Sequence, residues 1–245
     1  MSLEYTKDDG PKPTEEAEYG PPVIPAIPIY SYILIACIVA VTAVQLYVGL
    51  PESVEIAGFD KPRFVHAHEY WRILTGAALH GGLLHLFMNS YALYGFGSLM
   101  EMLSNRAHLA IVFLLSAVGG GLLSLAFLPA GVSVGASGGI VGFIGYLLVY
   151  AFRRRQFVSS EFRRSLLINV GFILIFGLVL YQVVDNFGHI GGFVAGAIYG
   201  LVQIPSDEYV DPRNARSITK IFGAAALGIF ILTSVFSIIL LLGHR

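Results

Sequence analysis

An all-α polytopic membrane protein is the fold class this sequence predicts, and three observations predict it. Hydrophobic residues make up 56% of the 245 and charged residues only 13%, with a mean hydropathy of +0.72. A soluble domain carries about 25% charged residues, so the composition suits a hydrocarbon solvent. The apolar residues gather into seven runs, at 29–49, 82–103, 108–128, 137–152, 166–182, 188–204 and 219–242. A bilayer core about 30 Å thick takes around 20 helical residues, with a range of ~17–25. Finally, the links between runs are polar or turn-forming, as in Pro51-Glu52-Ser53, Pro129-Ala130-Gly131 and Arg153-Arg154-Arg155.

Taken in order, the chain opens with residues 1–28, which hold Asp8, Asp9, Glu15, Glu16 and Glu18 among six prolines from Pro11 to Pro28. Such a segment buries too little apolar surface to offset its ordering entropy, so a disordered acidic tail is expected. It lacks the positive start and apolar stretch of a cleavable signal peptide. Residues 29–204 then form the expected membrane domain of six spans, and 205–245 an inner loop with a seventh span. Cys37 lies inside the first run as a small apolar residue, and a single cysteine forms no disulfide within one chain. A net charge of −1 without a basic stripe gives no reason to expect a nucleic-acid partner. No internal repeat relates the two halves, as it does in many transporters.

Orientation follows from lysine and arginine. With the N-terminus inside, the inner segments hold Lys7, Lys12, Arg106, Arg153, Arg154, Arg155, Arg163, Arg164, Arg213, Arg216 and Lys220. The outer segments hold Lys61, Arg63, Arg72 and Arg245. Eleven against four predicts a cytoplasmic N-terminus and an external C-terminus in a plasma or inner membrane. Spans two, four and six then start together at the outer face.

Polar side chains cluster at those starts. Span two is preceded by His80 and carries His85 and Asn89; span four opens with Ser137; span six opens with Asp185-Asn186-Phe187-Gly188-His189. Polar groups at membrane depth cost several kcal/mol unless they face a cavity or a partner, so each marks a candidate site. His85 and Asn89 are four apart and share a helix face. From Ser137 to Arg153 is 16 residues, about 24 Å at ~1.5 Å per residue, so Ser137 is expected below the outer boundary in a hydrated recess. Gly138 and Gly142 face the stripe Gly188, Gly192, Gly196 and Gly200, a spacing that lets two helices pack closely. Close packing would bring Ser137 and His189 within hydrogen-bond reach.

A serine is a weak nucleophile that needs a base at about 2.6–3.2 Å, and a neutral His189 can take its proton and later return it to a leaving amine. Asp185, four residues before His189, reads as a solvated loop residue more than as a third member, so the expectation is a dyad. The Ser137 N–H at a helix start, with His85 and Asn89, supplies donors for an oxyanion. His80 reads as a structural brace for the outer loop. HEYWR at His68 lacks the second histidine of H-E-x-x-H, and His66 and His68 read as solvated or interfacial; no metal or cofactor is implied.

The pattern resembles the rhomboid family of intramembrane serine proteases. The matching residues are Trp71-Arg72, His80, His85, Asn89, Gly97, Glu101, Gly135-Ala136-Ser137-Gly138, and His189 with Gly192 and Gly196. The resemblance covers about residues 30–204 and implies a rhomboid-like six-helix bundle with an additional seventh transmembrane helix. It implies Ser137 as nucleophile and His189 as base, with His85, Asn89 and the Ser137 amide as oxyanion hole. It also implies Trp71 and Arg72 in a stabilising outer loop, and Glu101 as a structural hydrogen-bonding residue. The implied partners are the lipid bilayer and single-span membrane-protein substrates, cut near the outer face. One position departs: four residues beyond the nucleophile, where an aromatic often packs on the imidazole, stands Val141. His189 must then be held differently or sit more loosely. Two other readings stand beside the protease, a rhomboid-like protein that binds transmembrane clients without cutting them and a small transporter.

Overall fold

The computed structural model describes residues 27–207 and 209–244. The tail expected over 1–28 therefore lies, but for its last two residues, outside the described residues.

Each of the seven apolar runs is a helix: α1 (Ile29–Val48), α5 (Leu83–Leu103), α6 (Arg106–Phe127), α7 (Ser137–Arg153), α8 (Ser160–Val179), α9 (Asn186–Gln203) and α10 (Ser217–Gly243). Polar side chains fix several starts by accepting otherwise free N–H groups. Asn105 caps α6 through the amides of Ala107 and His108, at 2.9 and 3.1 Å. Ser159 caps α8 through Phe162 at 3.1 Å. The first turn of α1 has no local side-chain cap and takes one from a distance. The Glu101 carboxylate, near the end of α5, accepts from the Ser31 N–H and hydroxyl, both at 2.8 Å. A carboxylate at a helix N-terminus also meets the positive end of the helix dipole.

Among the described residues, only α1, α6, α8 and α10 are long and apolar enough to cross a membrane by themselves. The three helices expected to start together at the outer face, α5, α7 and α9, fall short. α7 compensates by its place at the centre, packed on α5, α6 and α9 with most of its side chains buried. The α7–α9 seam is built from glycine. A Cβ on Gly192 would fall onto the Gly138 carbonyl, and one on Gly196 onto that of Gly142. A second seam joins α9 to α6, where Gly191 meets Gly119 and Gly120. α10 packs on α6, α1 and the segment between α1 and α5, with Phe230 fully buried edge-on to Phe113 at 4.9 Å between ring centroids. α8 is peripheral and buries only Leu166 and Gly177.

The segment between α1 and α5 is more ordered than a loop. It folds into α2 (Leu50–Ala57), β1 (Phe59–Asp60), α3 (Lys61–His66) and α4 (Arg72–Ala78). β1 pairs antiparallel with β2 (Val132–Ser133), just before α7. Buried Arg72 organises it by donating to Glu69, to the Gly58 carbonyl at 2.9 Å and to the Glu55 carbonyl at 3.4 Å. Its guanidinium stacks on Trp71, whose ring meets Phe236 of α10 edge-on at 5.5 Å. His66 and His68 are exposed, and His68 Nδ1 lies 2.8 Å from the Tyr70 hydroxyl.

Candidate active site

Ser137 is the first residue of α7, and the loop before it turns at Gly135. There φ is +124°, a left-handed conformation that glycine adopts at low cost. The Gly135 N–H donates to the Gly76 carbonyl at 2.9 Å, tying this loop to α4. Its missing side chain leaves room for His85, because a Cβ at 135 would stand 2.7 and 2.8 Å from the His85 Cε1 and Nε2 atoms. Asn89 Nδ2 lies 3.8 Å from the same point. His85 and Asn89 thus flank the backbone that leads into Ser137.

The tautomer of His85 follows from its surroundings. Its Nδ1 accepts from the Gly81 N–H at 3.2 Å, so in the neutral ring the proton sits on Nε2, the atom beside Gly135. Asn89 spends one Nδ2 hydrogen on the His85 carbonyl at 3.1 Å and keeps the other.

The Ser137 Oγ and His189 Nε2 atoms are 2.9 Å apart, 52 residues distant in sequence. The glycine seam makes this possible, since α7 and α9 both begin at this level and touch along their backbones. His189 Nδ1 is buried and has no hydrogen-bonding partner among the described residues. No aromatic ring stacks on the imidazole among them either, and Val141 is buried. The pair lines a cavity of about 50 Å³, enough for water molecules that each need ~10–15 Å³. Its walls include Gly76, Ala117, Gly120 and Gly135.

Asp185 departs from the solvated loop position expected of it. Its side chain is 23% exposed. It caps α9 by accepting from the Gly188 N–H at 2.8 Å and also accepts from the hydroxyls of Ser124 and Ser133, the latter at 2.5 Å. Lys61, 1% exposed, stands 3.9 Å away and donates to Ser133 at 2.8 Å. Burial alone would raise the Asp185 pKa; the hydrogen bonds from Ser124, Ser133 and Gly188, with the Lys61 charge, hold it below the usual carboxylate range. It does not bond to His189 Nδ1.

His80 is fully buried and braces α1 against the segment that leads into α5. Gln45 accepts from its N–H at 2.8 Å and donates to its carbonyl at 3.2 Å, while Thr42 meets Nδ1 at 3.3 Å. Sequence reasoning singled out His80 but missed Thr42 and Gln45, although polar residues inside an apolar span are themselves a signal. It also missed Lys61, Ser124 and Ser133. One clue was present: Ser133 and Asp185 each precede a dyad residue by four.

Comparison with known proteins gives the same direction. The Rhomboid domain model matches residues 67–206. The chain is 34% identical over 161 residues to RHOMBOID-like protein 4 of Arabidopsis thaliana, covering 65% of this chain and 41% of that protein. It is 31% identical over 145 residues to Rhomboid protease GluP of Bacillus subtilis (strain 168), 59% of this chain and 28% of that one. It is also 33% identical over 140 residues to Inactive RHOMBOID-like protein 8 of Arabidopsis thaliana, 57% and 40% respectively. The chain therefore spans less than half the length of each of these relatives.

Proposed function

This integral membrane protein belongs to the rhomboid family, and from that premise we propose that it is an intramembrane serine endopeptidase working through a Ser137–His189 dyad. The observation that carries the reading is the 2.9 Å contact between Ser137 Oγ and His189 Nε2 at a cavity large enough for water.

His189 Nε2 takes the hydroxyl proton as Ser137 Oγ bonds to the substrate carbonyl carbon. The carbonyl oxygen, now an oxyanion, accepts from the Ser137 N–H, His85 Nε2–H and the remaining Asn89 hydrogen. Donors of this kind contribute ~2.7–4 kcal/mol each in other serine hydrolases. Collapse breaks the C–N bond, and the proton on His189 passes to the departing amine. Water, deprotonated by His189, then attacks the ester carbon; the acyl–Oγ bond breaks, His189 returns the proton to Ser137 Oγ, and the carboxylic product leaves.

The substrate is a single-span membrane protein cut near the outer face, with the N-terminus of this chain cytoplasmic. A helical peptide bond is shielded by its own turn, so the segment unwinds before attack. The glycine and alanine walls of the cavity favour a small residue before the scissile bond. Gly97, Glu101, Trp71 and Arg72 serve the scaffold, as does His80.

A second reading, client binding without cleavage, draws on a His189 Nδ1 that has no partner among the described residues and on the relative named as inactive. Fluorophosphonate labelling of purified protein, with cleavage of a model single-span substrate, tests the two. The protease reading expects both activities in the wild type and neither in Ser137→Ala, with His189→Ala strongly impaired. Labelling that persists in Ser137→Ala removes it as the nucleophile. Substrate capture with neither cleavage nor labelling by the wild type supports the client-binding reading.

A further inference from the structure

The dyad lacks the means by which a catalytic histidine is usually aimed. His189 Nδ1 has no partner and no ring stacks on the imidazole among the described residues, so nothing beyond Ser137 bonds to that side chain. Its position is then set by where the first turn of α9 sits relative to the first turn of α7. Something must fix those two turns against each other.

A second pair does so, one helical turn earlier. Ser133 and Asp185 are 52 residues apart, as Ser137 and His189 are, and each lies four residues ahead of its dyad counterpart. The Ser133 hydroxyl donates to Asp185 Oδ2 at 2.5 Å. The other carboxylate oxygen accepts the Gly188 N–H, and the His189 N–H donates to the Asp185 carbonyl at 3.0 Å. On the far side, Ser133 is held in β2 against Phe59, and buried Lys61 donates to its hydroxyl at 2.8 Å. Ser124 of α6 supplies a further donor to Asp185. The segment entering α7, the end of α6 and the start of α9 thus converge on one carboxylate, with the Lys61 ammonium balancing its charge.

We propose that Asp185 and Ser133 form a positioning clamp that sets the Ser137–His189 distance without touching the reacting atoms. The proposal rests on the protease reading above. A carboxylate bonded by three donors from three different segments and faced by a buried lysine is stiff, because each donor ties it to a separate part of the fold. A displacement of about 1 Å at a catalytic group costs on the order of 100-fold in rate, so the clamp acts chiefly on the chemical step, although Ser133 and Asp185 also line the cavity beside the dyad.

The test measures fluorophosphonate inactivation in detergent, separating the maximal rate kinact from the half-saturating concentration KI. Ser133→Ala removes the bridge and leaves the α9 cap and the Lys61–Asp185 pair in place. It is expected to lower kinact by about ten-fold or more at unchanged KI, and Ser133→Thr, which keeps a hydroxyl, is expected to restore it. Asp185→Ser retains an oxygen for the Gly188 N–H but is too short to reach Ser133, and because it also gives up Ser124 and Lys61 it should lose at least as much rate. Combined with Ser133→Ala it should lose no more than Asp185→Ser alone, because the Ser133–Asp185 bond is already absent there. An unchanged kinact in folded Ser133→Ala overturns the clamp, as does a loss confined to KI, a multiplicative double variant, or a Ser133→Thr no better than alanine. Wild-type protein that fails to label at Ser137 removes the protease reading, and the clamp with it.

Discussion

Gly135 carries two constraints that no other residue type meets together. Its φ of +124° is unfavourable for any residue with a Cβ, and a Cβ there would also enter the His85 ring, 2.7 Å from Cε1. Backbone strain of this sort costs ~1–3 kcal/mol, and here relief must come from moving either the imidazole or the loop into Ser137. Gly135→Ala is therefore expected to retain its helical content by circular dichroism while Ser137 labelling slows by about ten-fold or more. A folded Gly135→Ala that labels at the wild-type rate would show that His85 need not sit against this turn.

At the scale of elements, glycine has opposite meanings in neighbouring helices. Gly171 in α8 has nothing within 4 Å of the place a Cβ would occupy, while a Cβ on Gly192 in α9 would collide with the backbone of Gly138 in α7. Gly171→Ala should stabilise the protein by about 0.5–1 kcal/mol through helix propensity. Gly192→Ala should lower the thermal midpoint and suppress labelling, since α9 must move away from Ser137. Equal effects of the two on unfolding in detergent would contradict the seam. The seven helices were legible because apolar runs with polar links announce themselves, and Ser137 with His189 because a hydroxyl and an imidazole open two such runs. The short helices α2, α3 and α4, of 8, 6 and 7 residues, were not. Helices of that length draw their stability from tertiary contacts, here those of buried Arg72. Asp185 was misread for a related reason. Its bonded partners Ser124 and Ser133 lie 61 and 52 residues away, and no local pattern displays such separations.

Across the whole molecule, buried polar clusters pin the bundle at both ends. At one end Glu101 holds α1, Ser104 meets Tyr146 at 2.8 Å, and His108 meets Tyr199 at 2.8 Å. At the other, His80 joins α1 to the segment that leads into α5, 5.1 Å from the His85 ring. Burial, and then the neighbouring His85, pushes the His80 pKa down to about 3, and among the described residues its Nε2 has no hydrogen-bonding partner. An unfolded histidine titrates near 6.5, so between the two values the unfolded chain binds a proton that the folded protein refuses. Stability must then rise with pH in that window, and acidification from about 6.5 toward 3 removes it at up to ~1.4 kcal/mol per pH unit. Carboxylates add their own loss below about pH 4.3, which makes the interval from roughly 6.5 to 5 the informative one. His80→Gln carries no proton to refuse and can still bond to Thr42, so its unfolding midpoint should vary less steeply over that interval than the wild type. Parallel slopes for the two proteins would mean that His80 is reached by protons in the folded state, and that the brace between α1 and the segment leading into α5 opens before the bundle does.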